Sequence, residues 1–445
     1  MALAIAFLCL SLISITTHAS DSCSLLSSSD DSDQLAIVHI HGKCSPFTSP
    51  YQGSWFDTVI GMAKKDPDRV MALSMLARRQ KEKQIPIIPS TTPNVFMGNY
   101  VVRAKVGTPG QVMFMVMDTS REATIVPCSG CTGCLSSKIF APKMSSTFRS
   151  LNCEAYQCDW PFAYGEKPCH GSGPKYPCVF NRTYGEDSSF SATLAQDSLT
   201  LGKDIFPNYT FGCINDVSGK NIPPQGLLGL SFDAMSLLSQ LRQQLSMFSY
   251  CLPSFKSNSS TGSLMLGSES PDDEPQTIPT TPLHHITPRI SLLYLNLTGI
   301  SVGNVLVPVS PAFDMKTGAG TILDTNTVIT RFVQPIYKAV RDAFRKQIGK
   351  SVSSFSIFDT CFTSDDKSLT PVVTLHFSGL DFILPRENTL INSSNGSLAC
   401  LAMAAAPSHN ENSNLNVIAS YQQQNFRIYV FQGDLSVGIV RELCN

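Results

Sequence analysis

Two aspartates carry the clearest chemical signal in this chain. Val116-Met117-Asp118-Thr119-Ser120 closes one apolar run, and Ile322-Leu323-Asp324-Thr325-Asn326 closes another 206 residues on. Each is followed downstream by an apolar pair at a turn, Gly226-Leu227-Leu228-Gly229 after the first and Asn416-Val417-Ile418-Ala419 after the second. The repeat predicts two similar β halves, each offering an Asp on a loop. Two carboxylates held ~3 Å apart cannot both ionise easily and share a proton. One is then a general base on a water while the other, as an acid, polarises a carbonyl. Such a pair needs no metal, works best in acid, and titrates as a unit. The hydroxyls of Thr119 and Thr325 are placed to cross-brace the two loops.

The elements that must position these loops read as short strands. Tyr100–Val106, 112–117, Ser189–Leu201 and 209–213 are rich in β-branched and aromatic residues and bounded by Gly, Pro and Asn. Helical periodicity appears at 232–245 and at Gln334–Ile348, where Pro335 lies near the first turn and Ile336, Val340, Phe344 and Ile348 share a face. Residues 268–275, with two prolines and several acids, read as a linker or exposed loop. Residues 20–93 differ in texture: a Ser/Asp-rich start, a helical stretch over 55–83 with Arg78, Arg79, Lys81 and Lys83 clustered at its end, then the Pro-broken Ile85-Pro86-Ile87-Ile88-Pro89. One reading is a surface helix and linker. The other is a propeptide whose basic helix covers an acidic cleft until removal.

Composition narrows the class. Only 15% of the 445 residues are charged and the formal net charge is −1, which gives no basic patch for nucleic acid or an anionic membrane. Residues 2–15 form a short apolar stretch followed by the small-residue site 17–19, which reads as a signal peptide. No later run reaches the ~18 apolar residues of a membrane span, and 441–445 lack the tail of a GPI signal. Of 15 cysteines, Cys9 falls in the signal, Cys23 and Cys44 precede the body, and twelve lie within it. In an exported chain that even set reads as disulfides. The rival is zinc at Cys128-x-x-Cys131-x-x-Cys134. Sequons at Asn181, Asn208, Asn258, Asn296, Asn392 and Asn395 are candidate glycosylation sites. Gly299-Ile300-Ser301-Val302-Gly303 matches the serine-hydrolase G-x-S-x-G pattern, but it lies in a strand–turn–strand context rather than the strand–turn–helix elbow. His39-Ile40-His41 lacks further ligands at metal spacing, His284-His285 and His376 read as surface or packing residues, and no metal or cofactor is expected.

Several motifs together carry a resemblance. They are Val106-Gly107-Thr108-Pro109, the Cys128/Cys131/Cys134 cluster, Tyr184-Gly185-Glu186-Asp187-Ser188-Ser189 and Phe211-Gly212-Cys213. The turn 226–229, Phe248-Ser249-Tyr250-Cys251 and Gln422-Gln423-Gln424-Asn425 complete them. From Tyr100 onward the chain resembles the pepsin-like aspartic proteases, in particular the plant nepenthesin and nucellin-like branch and, within it, apoplastic aspartyl proteases. The resemblance implies an all-β, bilobal double β-barrel with a few short helices, preceded by a signal peptide (1–19) and a propeptide (20–93). The lobes would span 94–285 and 286–445. It further implies a secreted monomeric endopeptidase with Asp118 and Asp324 catalytic, Tyr184 on a flap, and a peptide or protein substrate. Nucleic acid and membrane would not be partners. The expected disulfides include Cys153 with Cys158, Cys169 with Cys178 and Cys361 with Cys400.

Four positions depart from the family pattern. Ser120 and Asn326 stand where both active loops have glycine, Arg121 replaces a serine that bonds the first Asp, and Ala419 replaces a turn glycine. Ser and Asn keep the backbone N–H that a carboxylate needs, and Asn tolerates left-handed φ. Arg121 would hold Asp118 ionised if it pointed inward. These departures motivate a second reading, a pepsin-fold binding protein such as the plant xylanase inhibitors.

Overall fold

The computed structural model describes residues 23, 34–47, 53–78 and 98–444, apart from 122, 135–137, 163–168, 170, 172, 184–188, 220–224, 255–260, 268–277, 285–291, 311–313, 315–316, 350, 364–369 and 408–414. The signal-peptide segment, Arg79, Lys81, Lys83 and the 268–275 linker lie outside the described residues.

The two Asp-bearing strands are built alike. Strand Gln111–Asp118 runs parallel to Leu227–Gly229, with Asp118 opposite Gly229. Strand Gly320–Leu323 runs parallel to Leu415–Ile418, with Leu323 opposite Ile418. Both turns foreseen in the repeat therefore pair directly beside their aspartate loops. Antiparallel strands flank each unit, including Tyr100–Val106 on Gln111–Asp118 and Leu293–Leu295 on Gly320–Leu323. The halves are sewn together where Met247–Cys251 pairs with Phe426–Phe431. Alternating burial along Ser189–Leu201 matches a strand with one face on the core.

Helix Gln334–Ile348 forms as its periodicity predicts. Ile336, Val340, Phe344 and Ile348 are buried, and Gly349 ends it in the left-handed conformation. The helix expected over 232–245 shrinks to Leu237–Gln240. Its leucines are buried, but the hydroxyls of Ser231, Ser236 and Ser239 bond nearby backbone groups and draw the flanks into turns.

The N-terminal segment is no loose surface element. Gln34–His39 forms a strand, β1, paired with residues 261–265 on one side and 100–102 on the other. The stretch expected as one helix over 55–83 is two, α1 (Trp55–Ala63) and α2 (Asp66–Arg78). Pro67 has no N–H to continue the first helix but fits the first turn of the second. Ser54 and Asp57 close a capping box on α1. Helix α1 buries Phe56, Val59 and Ile60 in a cluster with Val328, Ile329 and Tyr421. Helix α2 buries Val70, Leu73 and Ala77 against Tyr294, Ile322 and Val417. Each fully buried Val or Leu is worth about 1.5–3 kcal/mol, enough to hold α2 across the second aspartate strand.

The two halves differ at one turn position in a way that can be measured. A Cβ on Gly229 would meet the carbonyl oxygens of Arg121 and Ala123 at 2.8 Å. Its counterpart Ala419 sits at φ −91°, where a Cβ is ordinary. Gly229→Ala should therefore cost about 1–3 kcal/mol in urea unfolding, and a change under about 0.5 kcal/mol would contradict this packing.

Candidate active site

Each aspartate is fixed by its turn. The Leu230 N–H donates to the Asp118 carbonyl at 2.9 Å, and the Asp324 N–H donates to the Ile418 carbonyl at 3.1 Å. Gln423 Nε2 donates to the Asp324 and Ile418 carbonyls. The expected cross-brace is present: Thr325 N–H donates to Thr119 Oγ1 at 3.4 Å, and Thr325 Oγ1 donates to the Met117 carbonyl at 3.3 Å. Asp118, Thr119, Ser120, Asp324, Thr325 and Asn326 are all buried.

The substituted positions are accommodated without left-handed backbone, contrary to the tolerance invoked for Asn326. Ser120 donates from both N–H and Oγ to Asp118 Oδ1, at 2.9 and 2.8 Å. Thr327 does the same for Asp324 Oδ2, at 2.7 and 2.6 Å. Asn326 turns away from the carboxylates. Its Nδ2 donates to the Met117 carbonyl and its Oδ1 accepts the Asn99 N–H. Room for it comes from Gly98, where a Cβ would stand 2.6 Å from Asn326 Oδ1.

Between the two carboxylates lies a side chain that the sequence reading did not single out. Arg69, in the first turn of α2, donates from Nη2 to Asp118 Oδ1 at 2.9 Å and to Asp324 Oδ1 at 2.6 Å. Its Nη1 reaches Asp118 Oδ2 at 3.2 Å, its Nε reaches Asp324 Oδ2 at 3.1 Å, and Nη2 also meets Ser120 Oγ. The planar fork suits carboxylates on both flanks. So the two aspartates converge on one nitrogen, and a basic side chain that covers them is Arg69, in the first turn of α2. Arg69 lies beside the buried stripe of Val70, Leu73 and Ala77. An arginine flanking the apolar face of a helix was the available signal, masked by Asp66 and Asp68 nearby.

The electrostatics follow from burial and proximity. Burial alone would raise Asp118, but Arg69 and then Arg121, with the Arg69 and Ser120 hydrogen bonds, hold it below its ordinary 3.8. Arg121 Nε is 3.8 Å from Asp118 Oδ2, so this side chain points inward. Burial disfavours the charge on Arg69, yet the two carboxylates more than offset it and raise its pKa. One turn earlier, burial pushes Asp66 up to about 6 against the pull of Arg331.

Other sequence candidates resolve differently. Tyr184 lies outside the described residues, though the hairpin stem below it, Val179–Thr183 with Ser189–Leu201, is formed. Cys361 pairs with Cys400 as expected. Cys153 pairs with Cys169 and Cys158 with Cys178, which corrects the expected pairs 153–158 and 169–178. The sulfurs of Cys153, Cys158 and Cys169 lie within 4.8 Å of one another, so spacing along the chain does not select the partners. Cys128 joins Cys213 and Cys131 joins Cys134, so disulfides take the sulfurs of the zinc reading. Cys23 joins Cys44. Asn181, Asn208 and Asn395 are exposed, Asn296 and Asn392 half-buried, and Asn258 lies outside the described residues. Ser301 sits in a hairpin, with His376 Nε2 2.7 Å from its Oγ and Asp381 2.7 Å from the other ring nitrogen. Its strand is paired on both sides, leaving no free N–H groups there for an oxyanion.

Comparisons with known proteins agree with this geometry. Residues 100–268 match the family model described as xylanase inhibitor N-terminal, and 293–432 match xylanase inhibitor C-terminal. Aspartyl protease AED3 of Arabidopsis thaliana is 49% identical over 97% of this chain and 96% of its own. Aspartyl protease 25 of Oryza sativa subsp. japonica is 43% identical over 93% and 95%. The chain belongs to the pepsin-like aspartyl protease family. Aspartic proteinase nepenthesin-1 of Nepenthes gracilis is 33% identical over 78% of each chain. Among solved structures, basic 7S globulin from soybean covers 77% of this chain and 92% of its own at TM-score 0.60 and 19% identity. Conglutin gamma from lupine seeds covers 80% and 93% at 0.61 and 19%. These two likenesses speak for the pepsin-like fold. Among the described residues no helix is long and apolar enough to cross a membrane.

The ion cluster fixes a pH response. Asp118 has a depressed pKa in the folded chain, so its contribution is present above about 3.8 and is lost as pH falls through the folded value. Asp66 is raised, so its docked state gains as pH falls from above about 6 toward 3.8. Thermal stability of the full-length chain should rise slightly from pH 7 to 5 and fall below about pH 4. Arg69→Met should cost about 3–5 kcal/mol at pH 7 by removing the cation shared by two buried carboxylates, and much less at pH 3. An equal loss at both values would contradict the assignment.

Proposed function

We propose that the protein is a secreted aspartic endopeptidase, made as a zymogen, that hydrolyses peptide bonds through Asp118 and Asp324. The observation that carries this reading is the convergence of both carboxylates on Arg69 Nη2. When the segment that includes β1, α1 and α2 is withdrawn, that position falls to a water with both carboxylates in reach. Arg121, beside Asp118 Oδ2, favours charge on that carboxylate, so the shared proton sits toward Asp324. Asp118 then draws a proton from the water while Asp324 donates to the substrate carbonyl oxygen. Ser120 and Thr327 hold the two groups in orientation. A flap bearing Tyr184 would close over a peptide or protein substrate, with the enzyme acting as a monomer outside the cell. The family-model description favours one other reading, a pepsin-fold inhibitor of cell-wall glycoside hydrolases. It predicts binding of such a hydrolase that survives Asp118→Asn with Asp324→Asn.

The test is proteolysis by the processed protein at pH ~3–6, the range in which such a pair shares its proton. Asp118→Asn and Asp324→Asn should each lower the rate about 10²–10⁴-fold, and a pepstatin-type inhibitor should abolish it. Arg121→Ser should shift the acid limb of the pH–rate profile upward, because removing the cation lets Asp118 rise. Clean processed protein that cleaves nothing across this range sinks the endopeptidase reading.

A further inference from the structure

One turn before Arg69, the same helix makes a second ionic contact with the body. The Asp66 carboxylate accepts the N–H of Val328 at 2.8 Å and of Ile329 at 3.0 Å, and lies 3.5 Å from Arg331 Nη2. Val328 and Ile329 follow Asp324 on the same loop. Arg331 is only 6% exposed. Its Nη2 also donates to the Ala63 carbonyl and its Nη1 to the Ala405 carbonyl, while its buried Nε has no hydrogen-bond partner among the described residues.

These contacts divide by origin. Asp66 and Ala63 belong to the N-terminal segment, whereas Val328, Ile329, Arg331 and Ala405 belong to the body. Withdrawal of the segment strips the guanidinium of its carboxylate and opens two adjacent N–H groups. A cation and two adjacent N–H donors uncovered together in the cleft wall present charge and hydrogen bonds to one group, and a carboxylate answers both. Asp66 occupies the place as the chain's own copy of that ligand.

Position relates this cradle to the dyad. Residues i and i+3 share a helix face, and three residues rise about 4.5 Å along the axis. An extended peptide advances about 3.3 Å per residue. A side chain in the cradle would thus come from a residue about one or two places from the scissile bond.

We propose that, once β1, α1 and α2 have left, Arg331 with the N–H groups of Val328 and Ile329 forms a carboxylate-binding subsite of the cleft, which takes an aspartate or glutamate side chain of a peptide. As a determinant of cleavage it rests on the endopeptidase reading; as a binding site it does not.

The test uses full-length protein after its own processing, with peptides that differ only by Glu or Gln one and two residues to either side of the cleaved bond. At one position kcat/KM should favour Glu about tenfold, as expected for hydrogen bonds to a charged group. Arg331→Met should bring that ratio near one, and Arg331→Lys should retain part of it. Should Arg331→Met fail to fold, Arg331→Lys and a salt titration of the wild-type ratio carry the test, the ratio falling as salt rises. Equal rates for Glu and Gln at every position, or a preference unchanged in the folded Arg331 variants, overturns the proposal. Fluorescence anisotropy with the same labelled peptides separates the two readings. Glu-selective binding without cleavage keeps the subsite and removes the endopeptidase; cleavage without Glu selectivity does the reverse.

Discussion

The guanidinium of Arg69 between Asp118 and Asp324 is the contact on which the described state depends. Two carboxylates, fully buried and turned toward each other, repel unless a proton or a cation lies between them. Here a cation does, and every larger feature of the N-terminal segment serves to deliver it. Pro67 starts α2 afresh, the Val70 stripe seats the helix on Tyr294 and Val417, and β1 is anchored in the sheet between residues 100–102 and 261–265. A charge so deeply placed cannot be held by its ion pairs alone, since desolvation consumes much of their gain. The apolar anchoring supplies what the ions do not.

The loops that carry the dyad tolerate an unusual set of neighbours for the same reason of geometry. What a carboxylate requires from the residue two places on is an N–H, and Ser120 provides it along with a hydroxyl. The bulk of Asn326 is spent on ties to Met117 and Asn99, in space that Gly98 leaves open. Arg121 is the departure with chemical consequence, because it makes the two carboxylates unequal. The two strand-and-turn units are built alike, but Asp118 takes its N–H from Ser120, two places on, and Asp324 from Thr327, three places on, and only Asp118 has a second arginine beside it.

Much of this was legible in the residues. The paired Asp-Thr loops, the matching turns, the Tyr100–Val106 and Ser189–Leu201 strands and the Gln334–Ile348 helix all follow from local pattern, and each is found. What escaped was set by contacts distant in sequence. Arg69 is one charge among several in a polar turn, and only the fold reveals that it faces the cleft. The strand Gln34–His39 is a short apolar run whose partners lie more than sixty residues away. Disulfide partners within 153–178 are chosen among sulfurs that crowd within 4.8 Å, and spacing along the chain does not encode that choice. The serines around 231–239 competed with a helix that the leucines alone would favour.

The account's central claim is that the N-terminal segment keeps the carboxylate pair occupied until it is withdrawn. The most direct measurement is calorimetric titration of a pepstatin-type inhibitor into uncut and processed wild-type protein under the same conditions. The account predicts binding to the processed form and none to the uncut form. Equal binding to both would contradict it, because a cleft already filled by Arg69 has no place for the ligand.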